Sequence, residues 1–193
     1  NSVKIIASEP DRYAQGYFVY DSRKSGATTV SHLRFGSRPI DAPYLVDAAD
    51  FVAVHQFELL ERMPTLDLAK RGATVLVNSP YGDTWDRLPE DVQRIILDRD
   101  LDLWVVDAAR IAHEAGLGQR INTVMQPCYF YLSGVVDRDE AIPRIKESIE
   151  RTYLRKRGRI IVERNFQAVD AAVESMVHVE PGSELSGLAR MRP

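Results

Sequence analysis

Four consecutive residues, Asp21-Ser22-Arg23-Lys24, place a carboxylate, a hydroxyl and two cations side by side. The cations suit phosphate groups, and the carboxylate can accept hydrogen bonds from a ribose or an amine. Gly26, just beyond, permits close backbone approach. The segment follows Ala14–Tyr20, an aromatic and β-branched run that predicts a buried strand. Ligands in open α/β sheets bind beyond the carboxyl ends of such strands. The same residue types also make an ordinary solvated hairpin turn, and composition alone favours that reading.

The other chemistry-bearing residues fall into weaker patterns. Cys128 is the sole cysteine and sits among aromatics in Gln126-Pro127-Cys128-Tyr129-Phe130. Apolar burial raises a thiol pKa, so a structural, inert cysteine is expected. One thiol forms no disulfide within the chain and cannot supply the roughly four thiolates of an iron–sulfur cluster. Redox chemistry is therefore expected on another domain or chain, in a reducing, cytoplasmic compartment. The histidines His32, His55, His113 and His178 lack metal-ligand spacing and are expected to be surface or capping groups. Gly116-Leu117-Gly118 follows a helical pattern instead of preceding one, which predicts a helix cap and not a phosphate cradle. There is no Gly-x-Ser-x-Gly elbow and no Walker loop. The basic run Arg151, Arg155, Lys156, Arg157 and Arg159 complements a helix C-terminus and is expected to be solvated.

Composition narrows the class. The 193 residues fit one α/β domain, with 45% hydrophobic and 27% charged residues. A net charge of -3 argues against a general nucleic-acid coat. The longest uncharged stretch, Ile121–Val136, is interrupted by polar residues and falls short of the roughly 20 apolar residues of a spanning helix. The chain opens without Met or a long apolar run, so an excised segment without a signal peptide is expected.

The elements that must position these residues follow from periodicity. Strands are predicted at 14–20, 28–35, 51–54, 73–77 and 101–106, the last three with nearly continuous apolar runs. Helical patterns at 65–70, 89–97 and 107–115 separate them, which predicts a parallel sheet covered on both faces. Helices are predicted at 122–136, 138–155 and 159–176, with Gly158 between the last two. The register of the second strand stays open, because Val30, Leu33 and Phe35 do not share one face. Residues 180–193 are expected to form a tail or linker.

Several stretches, taken in order, carry a family resemblance. They are Tyr13–Gly26 (YAQGYFVYDSRKSG), Thr29–Gly36 (TVSHLRFG), Tyr44–Val46, Ala49–Ala53, Val77–Pro80 (VNSP), Arg120–Gln126 (RINTVMQ) and Asn165–Asp170 (NFQAVD). Together they resemble the γ-type domain of pyruvate:ferredoxin and pyruvate:flavodoxin oxidoreductases, over about residues 1–176. The resemblance implies a three-layer α/β fold with a mainly parallel sheet, helices on both faces and C-terminal helices, over residues 1–179. It also implies that Asn1–Ser8 end a helix whose preceding glycine-rich loop is absent here; the residues alone also fit a strand.

The resemblance further implies a role. The family oxidatively decarboxylates pyruvate to acetyl-CoA, using thiamine diphosphate and [4Fe–4S] clusters placed mainly on other domains, and passes electrons to ferredoxin or flavodoxin. Asp21, Ser22, Arg23 and Lys24 match its CoA-contacting region, with the cations on phosphates and Asp21 on the adenosine side. No catalytic acid or base, and no metal ligand, is implied here. The expected partners are the remaining domains or subunits, with no nucleic acid and no membrane. Pro127 departs from the pattern and predicts a kink near Met125. Alternatives stay open: a γ subunit acting on another 2-oxoacid, a non-catalytic assembly domain, or a free-standing nucleotide-binding regulator.

Overall fold

A computed structural model describes residues 5–6, 12–20, 28–182 and 185–186. The chain divides into two compact units, residues 1–47 and 48–193.

In the second unit the sheet has the order β3 (Ala49–Val54), β4 (Ala69–Asn78), β5 (Asp102–Val106) and β6 (Val177–His178). The β3–β4 and β4–β5 pairings are parallel, and β6 closes antiparallel on β5 through Val105↔Val177 and Trp104↔His178. The apolar runs of β4 and β5 are continuous because both of their faces are covered. Val75, Val77, Leu103 and Val105 face a cluster with Leu60, Val92 and Ile96. Leu76, Val106 and half-buried Trp104 face the other way, toward Ile111, Met125, Cys128 and Ala172. The first layer comes from α1 (Leu59–Arg62) and α2 (Glu90–Arg99), reached by the two crossovers. The second comes from α3 (Ala108–Glu114), α4 (Asn122–Ser133) and α6 (Arg159–Glu174), with α5 (Arg138–Arg157) packed on α4 and α6. The expected three-layer, mainly parallel α/β fold is the observed one.

Local chemistry explains most boundaries. Asp137 caps α5 by accepting from the Asp139 amide, acidic Asp139 and Glu140 fill its first turn, and Arg155, Lys156 and Arg157 fill its last. Ala141, Ile145 and Ile149 form its buried stripe at four-residue spacing. The cap predicted at Gly116 is a Schellman motif: Gly116 N donates to His113 O and Leu117 N to Ala112 O, with Gly116 at φ +70. The helix predicted at 122–136 stops at Ser133, where Gly134 turns left-handed at φ +61. It runs on through Pro127. The helix predicted at 159–176 ends at Glu174.

The helix expected at 65–70 is not there. The helical turn lies earlier, at Leu59–Arg62, and Met63 is extended ahead of Pro64. The carbonyls of Leu66, Asp67 and Ala69 converge instead on Arg99 Nη1, at 3.1, 2.7 and 2.7 Å. A guanidinium so placed satisfies carbonyls that a helix would otherwise pair. Ala69 then opens β4, and a register shift between Ala49 and Phe51 leaves Gly72 at φ +72 in the irregularity.

After β6, Val179 N donates to Leu103 O, and Val179 is buried. Gly182 lies against the Trp85 ring, and Ser186 bonds to Gln93 Oε1 and Asp86. Among the described residues no helix is long and apolar enough to cross a membrane.

In the first unit, Ile5 and Ile6 are helical and buried. The rest of the helix expected at Asn1–Ser8 lies outside the described residues. β1 (Tyr13–Tyr20) and β2 (Thr29–Gly36) form a two-stranded antiparallel ribbon, in register from Tyr13↔Gly36 to Tyr20↔Thr29. This settles the register of β2: Leu33 and Phe35 share a face with Ala14 and Gly16, and Val30 lies on the other, opposite Val19.

Candidate functional site

The segment Asp21-Ser22-Arg23-Lys24 lies outside the described residues. Its setting corrects one premise of the sequence reading. β1 is not a buried strand of the parallel sheet; it is half of a separate ribbon, and its last three residues are exposed. The rule that ligands sit beyond parallel-strand ends therefore does not bear on residues 21–24. The ribbon instead fixes the two ends of the segment 21–28, because Tyr20 and Thr29 are paired.

The base of the ribbon is polar on one face. Arg34 Nη1 donates to Gln15 Oε1 at 3.3 Å, and Gln15 Nε2 to Tyr17 Oη at 3.3 Å. Tyr17 Oη donates to Ala42 O at 3.1 Å, and Arg34 Nη2 to Leu45 O at 2.7 Å. The Arg34 guanidinium also lies 4.7 Å from the Tyr44 ring centre. Gln15, Tyr17, Arg34 and Tyr44 all belong to the stretches that carry the family resemblance. Their work here is to bind the returning chain at 42–45 to the ribbon, so those stretches encode scaffold as well as any ligand contact.

A second polar region, not singled out from the sequence, lies beyond the carboxyl ends of β4 and β5. It is a shallow cleft of about 190 Å³ lined in part by Ser79, Tyr81, Asp107, Arg110, Ser175 and Val177. Beside it, at the end of β4, Asn78 Nδ2 donates to His55 O at 3.0 Å, and its Oδ1 accepts from Ala108 N at 2.9 Å. Buried Ser79 closes a tight turn, with Oγ accepting from Tyr81 N at 3.1 Å. The position after parallel strands is the signal that could have found this cleft. Its charges are already spent: Asp107 accepts from Arg110 N at 2.9 Å, and Arg110 Nη1 lies 3.0 Å from Glu114. Among the described residues that line the cleft, the cation Arg110 is already paired.

Cys128 is fully buried, and burial pushes its thiol up to about 12. Its Sγ lies 3.5 Å from Ala172 O across the α4–α6 contact. This is the inert structural cysteine expected. Of the histidines, His55, His113 and His178 are exposed and His32 is half-buried in the ribbon. His178 contacts Asp102 at 2.9 Å and Glu180 at 3.0 Å. The basic run at 151–159 is exposed apart from Tyr153, with Arg159 paired to Glu150 and Glu163. Among the described residues no group of three His, Cys, Asp or Glu side chains could hold a metal ion.

Comparison with known proteins extends the picture. A family model described as Pyruvate ferredoxin/flavodoxin oxidoreductase matches residues 3–175. A pyruvate-flavodoxin oxidoreductase of Rhodospirillum rubrum is 55% identical over 191 residues, covering 98% of this chain and 16% of that protein. A pyruvate:ferredoxin oxidoreductase of Moorella thermoacetica is 46% identical over 182 residues, covering 93% of this chain and again 16% of the relative. The chain thus spans about a sixth of the length of these curated relatives. Among solved structures, the pyruvate oxidoreductase subunit PORC of Thermotoga maritima superposes with a TM-score of 0.67 at 20% identity, covering 93% of this chain and 90% of that one. A 2-oxoglutarate:ferredoxin oxidoreductase of Magnetococcus marinus, solved with 2-oxoglutarate, coenzyme A and succinyl-CoA bound, gives 0.65 at 17% identity, covering 98% of this chain and 31% of that one. These two share the fold.

Proposed function

The chain belongs to the pyruvate ferredoxin/flavodoxin oxidoreductase family, and from that premise we propose that it is the CoA-proximal domain of a pyruvate:ferredoxin or pyruvate:flavodoxin oxidoreductase. The whole enzyme converts pyruvate and CoA to acetyl-CoA and CO2 and passes two electrons to ferredoxin or flavodoxin. The observation that carries the reading is the 55% identity over 191 residues to an enzyme named for that reaction.

The residues of this chain fit a binding role and not the redox role. Its single thiol, Cys128, is buried and held protonated, so no cluster ligand set can be assembled from it. When bound elsewhere in the enzyme, thiamine diphosphate supplies the electron sink for decarboxylation and iron–sulfur clusters the electron path. What this domain contributes is the segment Asp21–Lys24 between the paired ends of the ribbon. Arg23 and Lys24 hold CoA phosphates through charge-assisted hydrogen bonds, Asp21 meets the adenosine side, and Ser22 adds a hydroxyl donor. Support comes from the charge of those four residues and from the fixed separation of Tyr20 and Thr29.

Calorimetric titration of CoA into the full-length enzyme tests the site. Lys24→Ala should cost roughly 1–2 kcal/mol of binding, and the Arg23→Ala, Lys24→Ala double variant more. An unchanged CoA affinity in the double variant removes the site assignment. Acetyl-CoA formation from pyruvate, compared with product from 2-oxoglutarate, tests the substrate.

A further inference from the structure

The distal end of the β1–β2 ribbon exposes large apolar side chains on both faces, beside the hydroxyls of Thr29 and Ser31. The register and the alternation of strand side chains put Phe18 and Tyr20 on one face, and the directly opposed pair Val19 and Val30 on the other. Phe18 is 56% exposed, Tyr20 71%, Val19 41% and Val30 37%. The basal half differs, because there Gln15, Tyr17 and Arg34 are held by the chain at 42–45. Scattered exposed apolar residues are ordinary. Four of them gathered at one end of a two-stranded ribbon are not, because such a ribbon is marginal in water until a third strand or a packed surface covers it. A surface on one side would cover only Phe18 and Tyr20, or only Val19 and Val30. The distal ribbon needs cover on two sides at once.

What could provide it is indicated by length. In the relatives at 55% and 46% identity this region is 16% of one long polypeptide, so most of that chain lies outside the segment described. We propose that the distal ribbon, residues 18–20 and 29–31, is an arm that inserts into an apolar slot in the remaining polypeptide of the enzyme. Phe18 and Tyr20 are its anchors, as large aromatics at the centre of an interface commonly are. Insertion holds Tyr20 and Thr29, the paired residues at the end of the ribbon, against the rest of the enzyme. The occupant named here rests on the reading that the chain is a domain of that oxidoreductase.

Hydroxyl-radical footprinting of the full-length enzyme tests the arm. Phe18 and Tyr20 should be oxidised at least tenfold more slowly in the native enzyme than in the enzyme unfolded in denaturant, independently of enzyme concentration. Oxidation within threefold of the unfolded rate overturns the proposal. Protection that grows with enzyme concentration overturns it too, since a second copy is then the occupant. In the Phe18→Ser, Tyr20→Ser variant, amide exchange in residues 29–36 should accelerate at least tenfold while exchange in β4 and β5 stays unchanged. If that variant does not fold, the wild-type footprint still decides. Protected aromatics with CoA affinity unchanged by the Arg23/Lys24 double variant would leave the arm standing and remove the CoA site. Freely oxidised aromatics with CoA affinity lost in that variant would do the reverse.

Discussion

Thr123 Oγ1 donates to Asn165 Oδ1 at 3.3 Å, joining α4 to α6 across residues 42 apart in sequence. Asn165 is 1% exposed, and its Nδ2 donates to Ile161 O at 2.6 Å, so a buried amide serves two helices at once. Asn165→Ala should therefore destabilise the fold by about 1–3 kcal/mol, because it strands the Thr123 hydroxyl and opens a small void. Thr123→Ala should cost about 1 kcal/mol. Urea denaturation of both single variants and the double should show non-additivity, and strict additivity would mean the two side chains do not interact.

The Cys128 thiol should resist alkylation. With its pKa pushed to about 12 and its surface fully buried, iodoacetamide at pH 8 should leave the native chain unmodified over hours. The same reagent should label it rapidly once urea unfolds the chain. Mass spectrometry gives the readout, and fast native labelling would contradict the packing of α4 on α6.

Alkali should unfold the protein through two groups. Burial raises Cys128 from about 9 and Tyr129 from about 10, both to about 12. A folded-state pKa above the unfolded one means that the stabilisation is complete below the unfolded pKa and is lost as pH rises through the folded value. Stability should hold to about pH 9 and decline toward pH 12. Denaturation midpoints across that window give the slope, and Tyr129→Phe should make it shallower. An identical slope in the variant would remove Tyr129 from the account.

Two glycines should respond very differently to alanine. Gly134, at φ +61 with open space around it, should lose only about 1 kcal/mol from the left-handed backbone. At Gly182 a Cβ would lie 2.5 Å from Trp85 Nε1, so Gly182→Ala must move the backbone at Gly182 away from the Trp85 ring. Thermal melts should show the larger loss at Gly182, and equal losses would mean that this segment does not hold Trp85.

Much of this fold was legible in the sequence. The continuous apolar runs of β4 and β5 announced strands covered on both faces, and Ile145 with Ile149 announced the stripe of α5; β3, expected to be buried too, is an edge strand in which only Val54 is buried. The error at 65–70 has a long-range cause. Arg99, some thirty residues away, gathers the carbonyls of Leu66, Asp67 and Ala69, and nothing local announces that. The ribbon was legible as two strands but not as a separate sheet, because alternation fixes faces and not pairing partners. The stretches that carried the family resemblance proved largely architectural: Thr123 and Asn165 stitch helices, Asn78 joins β4 to α3, and Gln15 with Arg34 ties the ribbon to residues 42–45. The candidate segment Asp21–Lys24 was legible only as charge, and it lies outside the described residues.

The seclusion of Cys128 has a practical corollary. Within this chain every other position is free of sulfhydryl, so a cysteine introduced at an exposed site becomes the sole addressable handle for a spin label or fluorophore. Prepared by itself, the chain is thus a single-label background for distance measurements within it, without any prior substitution.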